Sequence, residues 1–232
     1  MDTKRKVLNM VMSATRMRRT VLTLAAILVL AGAETTAQAA VTVTQDGSNL
    51  YIVGDNEDNY VWIGTRYEGR VEVEVWLGDP GPSYWYYDVE KVWVDMGNGN
   101  DDVYAQDRVP LSSPSVVEVC IDTGNGEDYV ELDRQIDKRG TSFDVSTGNG
   151  NDTARVVLIC GEPVTIDMGN GDDLLHVRAH SCDLTVGLGR GDDSISGRVG
   201  ENDGKIDGGR GEDSRSGLTV DGGSLDVINF ED

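Results

Sequence analysis

The sequence predicts an all-β fold: a parallel β-solenoid, of β-roll or β-helix type, with an irregular N-terminal β cap. Three observations predict it. The pentad Gly-x-Gly-x-Asp occurs six times between Gly97 and Asp213. Its first glycines are spaced 27, 24, 21, 20 and 20 residues apart. The apolar residues around each copy alternate with a period of two, the mark of short half-buried strands rather than helices. Strand, glycine turn, strand and return turn together use about 20 residues, so successive copies can stack with their strands in parallel, ~4.8 Å apart.

Residues 1–39 read as an export signal. Lys4, Arg5, Lys6, Arg16, Arg18 and Arg19 make a basic start, Val21 to Ala33 an apolar stretch, and Ala37-Gln-Ala39 a small-residue cleavage site. The apolar stretch is too short to span a membrane, and no later segment reaches 18 apolar residues. Arg18-Arg19 lacks the context of a twin-arginine signal, so ordinary export follows, to the periplasm, the cell surface or the medium. Removing this segment takes away six basic and two acidic residues, which leaves 14 basic against 39 acidic and a net charge of −25. Such a balance excludes nucleic acid as a partner. It also makes the chain repel itself unless cations neutralise part of the charge.

Residues 40–91 form the expected cap and a degenerate first coil. Gly54-Asp-Asn-Glu-Asp-Asn59 resembles a motif turn without its second glycine. Val71 to Leu77, the turn Gly78-Asp-Pro-Gly-Pro82 and the aromatic Tyr84-Trp-Tyr-Tyr87 read as strand, turn, strand. A solenoid needs such a cap over its open core.

Residues 92–232 carry the repeats. Before the glycines stand Val92/Val94, Val119/Ile121, Phe143/Val145, Val164/Ile166 and Leu184/Val186. After the aspartates come Val103, Val130/Leu132, Ala154/Val156, Leu175/Val177 and Ile195. The longer early spacings are expected on the side away from the motif, at Pro110 to Ser115 and Gln135 to Thr141. Ser214, Arg215 and Ser216 break the pattern, and Leu225 to Phe230 reads as a closing strand. Of Cys120, Cys160 and Cys182, the last two fall about one repeat apart and are candidates for a bridge between neighbouring coils, with buried free thiols as the alternative.

The six motifs are Gly97-Asn-Gly99-Asn-Asp101, Gly124-Asn-Gly126-Glu-Asp128, Gly148-Asn-Gly150-Asn-Asp152, Gly169-Asn-Gly171-Asp-Asp173, Gly189-Arg-Gly191-Asp-Asp193 and Gly209-Arg-Gly211-Glu-Asp213. Glycines let a turn reach positive φ and point carbonyls inward, and carbonyl plus carboxylate oxygens are what Ca²⁺ requires. One turn offers too few oxygens, so two stacked turns would complete a shell between them. The expected ligands are Asp101, Asp128, Asp152, Asp173, Asp193 and Asp213. Asp95, Asp122, Asp167 and Asp207, two residues before the first glycines, are second choices: ligands, or turn-opening residues that bond local amides. The purely structural alternative is a tight Gly-Asn-Gly turn with the aspartate as its cap.

The motif resembles the Gly-Gly-x-Gly-x-Asp-x-U-x nonapeptide of the hemolysin-type (RTX) calcium-binding repeat family, where U is apolar. Gly208-Gly-Arg-Gly-Glu-Asp-Ser214 carries all its glycines and its aspartate, with Arg215 at U. The other copies have Met96, Thr123, Thr147, Met168 or Leu188 in place of the first glycine, and keep U as Val103, Val130, Ala154, Leu175 and Ile195. The resemblance covers roughly residues 92 to 230. It implies a parallel β-roll with several Ca²⁺ ions between consecutive turns. This chain departs from the family in its spacing of about 20 residues rather than nine, and in its N-terminal signal.

Catalysis is not expected. His176 and His180 are spaced like a zinc-protease pair, but the surrounding Leu174-Leu-His-Val alternates like a strand, which puts them ~13 Å apart. No other histidine exists to serve as a base. The reading is therefore an exported calcium-binding solenoid with a structural or adhesive role, whose further partner is a cell-surface glycan or another protein. The alternatives are a calcium-independent sugar-binding solenoid that uses Trp76, Trp93 and Tyr84 to Tyr87, and a polysaccharide-active β-helix enzyme.

Overall fold

The computed structural model describes residues 41–67, 71–78, 81–107, 117–134, 141–159 and 163–231. The proposed signal segment lies outside them. Among the described residues there is no helix, and no segment long and apolar enough to cross a membrane as one.

Alternating apolar residues build the strands in chain order. They are β1 (Thr42–Asp46), β2 (Asn49–Val53), β3 (Tyr60–Tyr67), β4 (Val71–Leu77), β5 (Ser83–Tyr87), β6 (Lys91–Asp95), β7 (Asp102–Asp107) and β8 (Val117–Asp122). Then follow β9 (Tyr129–Arg134), β10 (Thr141–Ser146), β11 (Thr153–Ile159), β12 (Pro163–Asp167), β13 (Leu174–His180), β14 (Asp183–Gly187), β15 (Ser194–Asp207) and β16 (Leu218–Ile228).

Pairing sorts them into two parallel runs. Strands preceding the motifs form β2-β6-β8-β10-β12-β14, and strands following them form β3-β7-β9-β11-β13, with the long β15 joining both. The chain therefore winds as a flattened β-solenoid: up one run, around a motif corner, down the other. The register is repeat on repeat. Leu50, Val92, Val119, Phe143, Val164 and Leu184 face one another in succession, as do Val61, Val103, Val130, Ala154, Leu175 and Ile195. These ladders are buried and make the core between the runs. Burying such side chains contributes about 1.5–3 kcal/mol each, but only once the next coil is in place.

The return side is tight where the spacing is 20 residues. Ser181 (φ 57°) supplies one left-handed residue between β13 and β14, and Glu201 (φ 52°) supplies one inside β15 where it passes from one run to the other. The segments expected to absorb the longer early spacings, Pro110 to Ser115 and Gln135 to Thr141, lie outside the described residues except for Thr141, which opens β10; the register of the flanking strands is undisturbed. Cys182 is disulfide-bonded and Cys120 is a buried free thiol; Cys160, the expected partner of Cys182, lies outside the described residues.

The cap has the expected irregular form. β1 pairs antiparallel with β2, and β3-β4-β5 is an antiparallel meander. Val73 and Val75 of β4 join the core. At the far end the predicted closing strand exists as part of β16, parallel to β15 along both of its halves.

Candidate cation-binding corner

The six motifs stack into one continuous corner. Their second residues form a parallel bridge ladder from Asn98 through Asn125, Asn149, Asn170 and Arg190 to Arg210. Backbone bonds tie each corner to the next: Asn125 N–H donates to the Gly97 carbonyl at 2.9 Å, and Gly126 N–H to the Asn149 carbonyl at 2.9 Å. The first-glycine and second-residue carbonyls thus serve the ladder, where the sequence reading had them turned inward. On the outer side the asparagine amides add a ladder of their own, Asn125 to Asn98 and Asn149 to Asn125 at 2.8 Å and Asn170 to Asn149 at 2.9 Å.

Stacking explains the glycines. A Cβ on Gly126 (φ 149°) would sit 1.7 Å from the Gly99 carbonyl oxygen of the preceding coil. No side chain fits there. The first corner shows the converse. Asp55 to Asn59 occupies the place of Gly97 to Asp101 one coil earlier, with Gly54 in the position of Met96. No motif corner precedes it to crowd a Cβ, and Asp55 and Glu57 stand where later coils need glycine.

The fifth-position aspartates point inward and are 0–2 % exposed. Each Oδ1 accepts the backbone N–H of the aspartate one coil earlier: Asp101 N–H to Asp128, Asp128 to Asp152, Asp152 to Asp173 and Asp173 to Asp193 at 2.8 Å, and Asp193 to Asp213 at 3.0 Å. At this position the strand ladder is interrupted, so the N–H would otherwise be buried without a partner. Sequence reasoning missed the two ends of this column. Asn59 opens it, donating both its N–H and its amide to Asp101 Oδ1, and Glu231 closes it by accepting the Asp213 N–H at 2.7 Å. The 42-residue offset of Asn59 from Asp101 was the available signal for the first; nothing in the local pattern marks Glu231.

The other oxygen, Oδ2, has no hydrogen-bond partner in any of the six. Burial accordingly pushes these carboxyls up, against the lowering effect of the backbone N–H bonds and of the Asn59, Thr123 and Thr147 side chains beside Asp101, Asp128 and Asp152, with neighbouring carboxylates adding to the rise. Asp101, Asp152 and Asp193 reach about 6 and Asp173 about 7, while Asp128 and Asp213 are raised as well.

The donors are of the right kind for a hard cation: one buried, unpartnered anionic oxygen per coil, repeated along a line. They do not converge on a point. Among the described residues no three acidic, histidine or cysteine side chains gather around one position. Any cation would therefore draw on two successive coils.

The second-choice aspartates lie outside this column. Asp95, Asp122, Asp167 and Asp207 hold one outward row at the ends of β6, β8, β12 and β15, with Ser146 and Gly187 in the same row. Asp207 Oδ1 accepts the Gly209 N–H at 3.2 Å and Asp167 bonds Gly169 likewise, which is the turn-opening role. Both border a shallow groove of about 560 Å³ along the corner, which Arg190 and Arg210 also line.

His176 and His180 lie on strand β13, as expected, and have separate partners, Ser196 Oγ at 3.1 Å and Glu201 at 3.7 Å. The aromatic set divides. Trp76 packs edge-on against Trp62 with ring centroids 6.3 Å apart, Tyr84 and Tyr87 are exposed on β5, and Trp93 sits under Lys91 in the opposite run of strands. No family model, curated protein or solved structure matches this chain.

Proposed function

We propose that this is an exported calcium-binding repeat protein, allied to the hemolysin-type repeat proteins. In this reading Ca²⁺ bound along the motif corner stabilises the β-solenoid for a non-catalytic structural or adhesive role. What supports the reading is the column of six buried carboxylates, each with one oxygen tied to the neighbouring coil and the other unpartnered. Ionised carboxylates stacked one per coil out of water are costly unless protons or cations neutralise them. A divalent ion between successive coils neutralises two at once.

The residues that would hold it are Asp101, Asp128, Asp152, Asp173, Asp193 and Asp213. The ion supplies charge neutralisation and a link between coils. The backbone N–H bonds keep each carboxylate oriented before the ion arrives. Binding that favours the native state stabilises it by RT ln(1 + [L]/Kd), about 1.4 kcal/mol per site at ten times Kd. Extracellular calcium modules have Kd of about 10⁻⁴–10⁻³ M, the range expected here.

The test is a calcium titration of the full chain followed by far-UV circular dichroism and melting, with magnesium as the control. A saturable, calcium-selective rise in Tm supports the proposal. A folded chain whose melting ignores millimolar calcium overturns it and leaves the aspartates as caps of the coil ladder. The exposure of Tyr84 (47 %) and Tyr87 (39 %) favours a second reading, calcium-independent glycan binding at β5. Loss of glycan binding on substituting these two tyrosines, with the motif aspartates dispensable, would decide for it.

A further inference from the structure

Two rows of the corner change character at the same coil. The second motif position is asparagine in four successive coils, Asn98, Asn125, Asn149 and Asn170, whose amides bond in series. Arg190 and Arg210 then take that position and face each other across one parallel bridge. Residues so paired lie ~4.8 Å apart, and like charges set directly opposite repel. Both side chains are exposed, and neither guanidinium has a hydrogen bond or an ion pair among the described residues. The motif carboxylates Asp172 and Asp192 instead accept the backbone N–H groups of Asp192 and Glu212, each at 2.9 Å.

The second change is Gly187. The outward row at the strand ends runs Asp95, Asp122, Ser146, Asp167, Gly187, Asp207, so the coil that introduces Arg190 has no side chain there. The fold does not demand this glycine. Unlike the motif glycines it has no left-handed φ, and an added Cβ would meet only Asp167 Oδ1, at 3.9 Å. Its neighbours in the row, Asp167 and Asp207, line the groove that Arg190, Arg210 and Asn229 also line. One short stretch of chain thus withholds a carboxylate and adds a cation beside the same groove. Neither change helps the coils to stack.

We infer that this groove binds an acidic glycan, with Arg190 and Arg210 together holding a carboxylate or sulfate group of the sugar chain. Guanidinium forks match the geometry of an oxyanion, and the anion removes the repulsion between the two arginines. Asp207 is already engaged by Lys205, Asn229 and the Gly209 N–H. Asp167 and the Asn229 amide remain to bond sugar hydroxyls. No apolar side chain lines the groove, which disfavours an apolar ligand. The carbonyls of Gly169, Gly189, Arg190 and Arg210 are taken by the coil ladder, so they offer a peptide no main-chain edge. The inference rests neither on calcium at the buried column nor on the β5 tyrosines.

The experiment is calorimetric titration of the full chain in a chelating buffer. The probes are a short oligogalacturonate and a heparin-derived oligosaccharide, which distinguish carboxylate from sulfate, with inorganic sulfate and phosphate alongside. The expected result is saturable binding of at least one oligosaccharide that weakens as salt rises. Arg190→Asn with Arg210→Asn, which restores the residue of the four earlier coils, weakens it roughly tenfold or more. Gly187→Asp, which completes the outward row, weakens it by a similar factor. Arg178→Gln, at an exposed arginine on β13 outside the groove, leaves it unchanged, and circular dichroism verifies that all variants fold. The inference is overturned if neither oligosaccharide binds, or if binding survives the double arginine substitution. It is equally overturned if inorganic sulfate or phosphate binds as tightly as the sugars, since that marks a site for small anions only.

Discussion

The first corner, Asp55 to Asn59, and an interior corner such as Gly124 to Asp128 do the same job with different residues. Both turn the chain between the two runs, and both hand a backbone N–H to the carboxylate of the following coil. The interior corner alone has a motif corner packed against its N-terminal side. That neighbour excludes Cβ atoms at the first and third positions, and that difference accounts for Glu57 standing where Gly99, Gly126 and Gly150 stand later. Glycine here is thus a requirement of stacking and of turning together, since the motif glycines also hold φ of 96–149° and Asp55 and Glu57 do not. The fifth position teaches a related lesson. Its side chain must offer an acceptor to the preceding coil while its second atom remains buried. An amide there would bury two N–H groups. Asn59 places its amide N–H groups on Glu57 O and Asp101 Oδ1, an arrangement open to it at the end of the column, while its own Oδ1 has no partner.

The largest expected effect breaks this comparison directly. Gly126→Ala places a Cβ 1.7 Å from the Gly99 carbonyl and also demands a φ of 149°. Coils must part to admit it, and the loss in unfolding free energy is expected to be roughly 3 kcal/mol or more. Glu57→Ala at the equivalent place in the first corner should lie within about 0.5 kcal/mol of the parent. Urea denaturation of both variants measures the contrast. Equal losses would mean that neither the left-handed backbone nor the neighbouring coil sets the interior corner apart.

Much of the fold was legible because the repeat writes the same physical constraint six times. Period-two alternation gave the strands, the falling spacing gave the stack, and Val71 to Tyr87 gave the cap meander. Fold class needs only the pattern of burial, and burial is a property of single positions. The corner was less legible, because its chemistry lies between coils. Gly-x-Gly-x-Asp names the residues, but it does not say that Asp152 accepts the Asp128 N–H, nor that the first-glycine carbonyls are spent on the ladder. The column's last member was harder still, since Glu231 follows Asp213 in a segment with no motif. The aromatic residues near Tyr84 looked like one cluster, yet Trp93 lies in the other run because the chain crosses sides between β5 and β6.

A second effect, of intermediate size, distinguishes the buried column from exposed acids through pH. In the native chain burial keeps protons on Asp101, Asp152 and Asp193 up to about 6, and on Asp173 up to about 7. In the unfolded chain the same groups release them near the ordinary value of about 3.9. Between those values the native state binds more protons than the unfolded state, so its stability falls as pH rises from about 4 to about 7. Without metal, melting should therefore drop by roughly 5 °C or more across that interval. Calcium would flatten the slope, because cation and proton compete for the same oxygens. Melting curves in chelator and in millimolar calcium test both statements. Stability that rises with pH in chelator would show that the backbone N–H bonds outweigh the burial of the column.

The smallest expected effect lies at the other end of the column and sharpens the comparison from that side. Glu231 is exposed overall, and its carboxylate does for Asp213 what Asp152 does for Asp128. Glu231→Ala leaves one N–H without its acceptor at a coil end that water reaches. The loss should be about 0.5–1 kcal/mol, close to that of a helix cap. Asp152→Ala orphans the same kind of donor in the interior, where water cannot replace the carboxylate, and about 2–3 kcal/mol should be lost. Amide hydrogen exchange reads the difference residue by residue. In the Glu231 variant, faster exchange should stay confined to Asp213 and β16, whereas in the Asp152 variant it should reach the coils on both sides. Exchange that spreads equally far in both would mean that the column acts as one cooperative unit, with its ends as important as its middle.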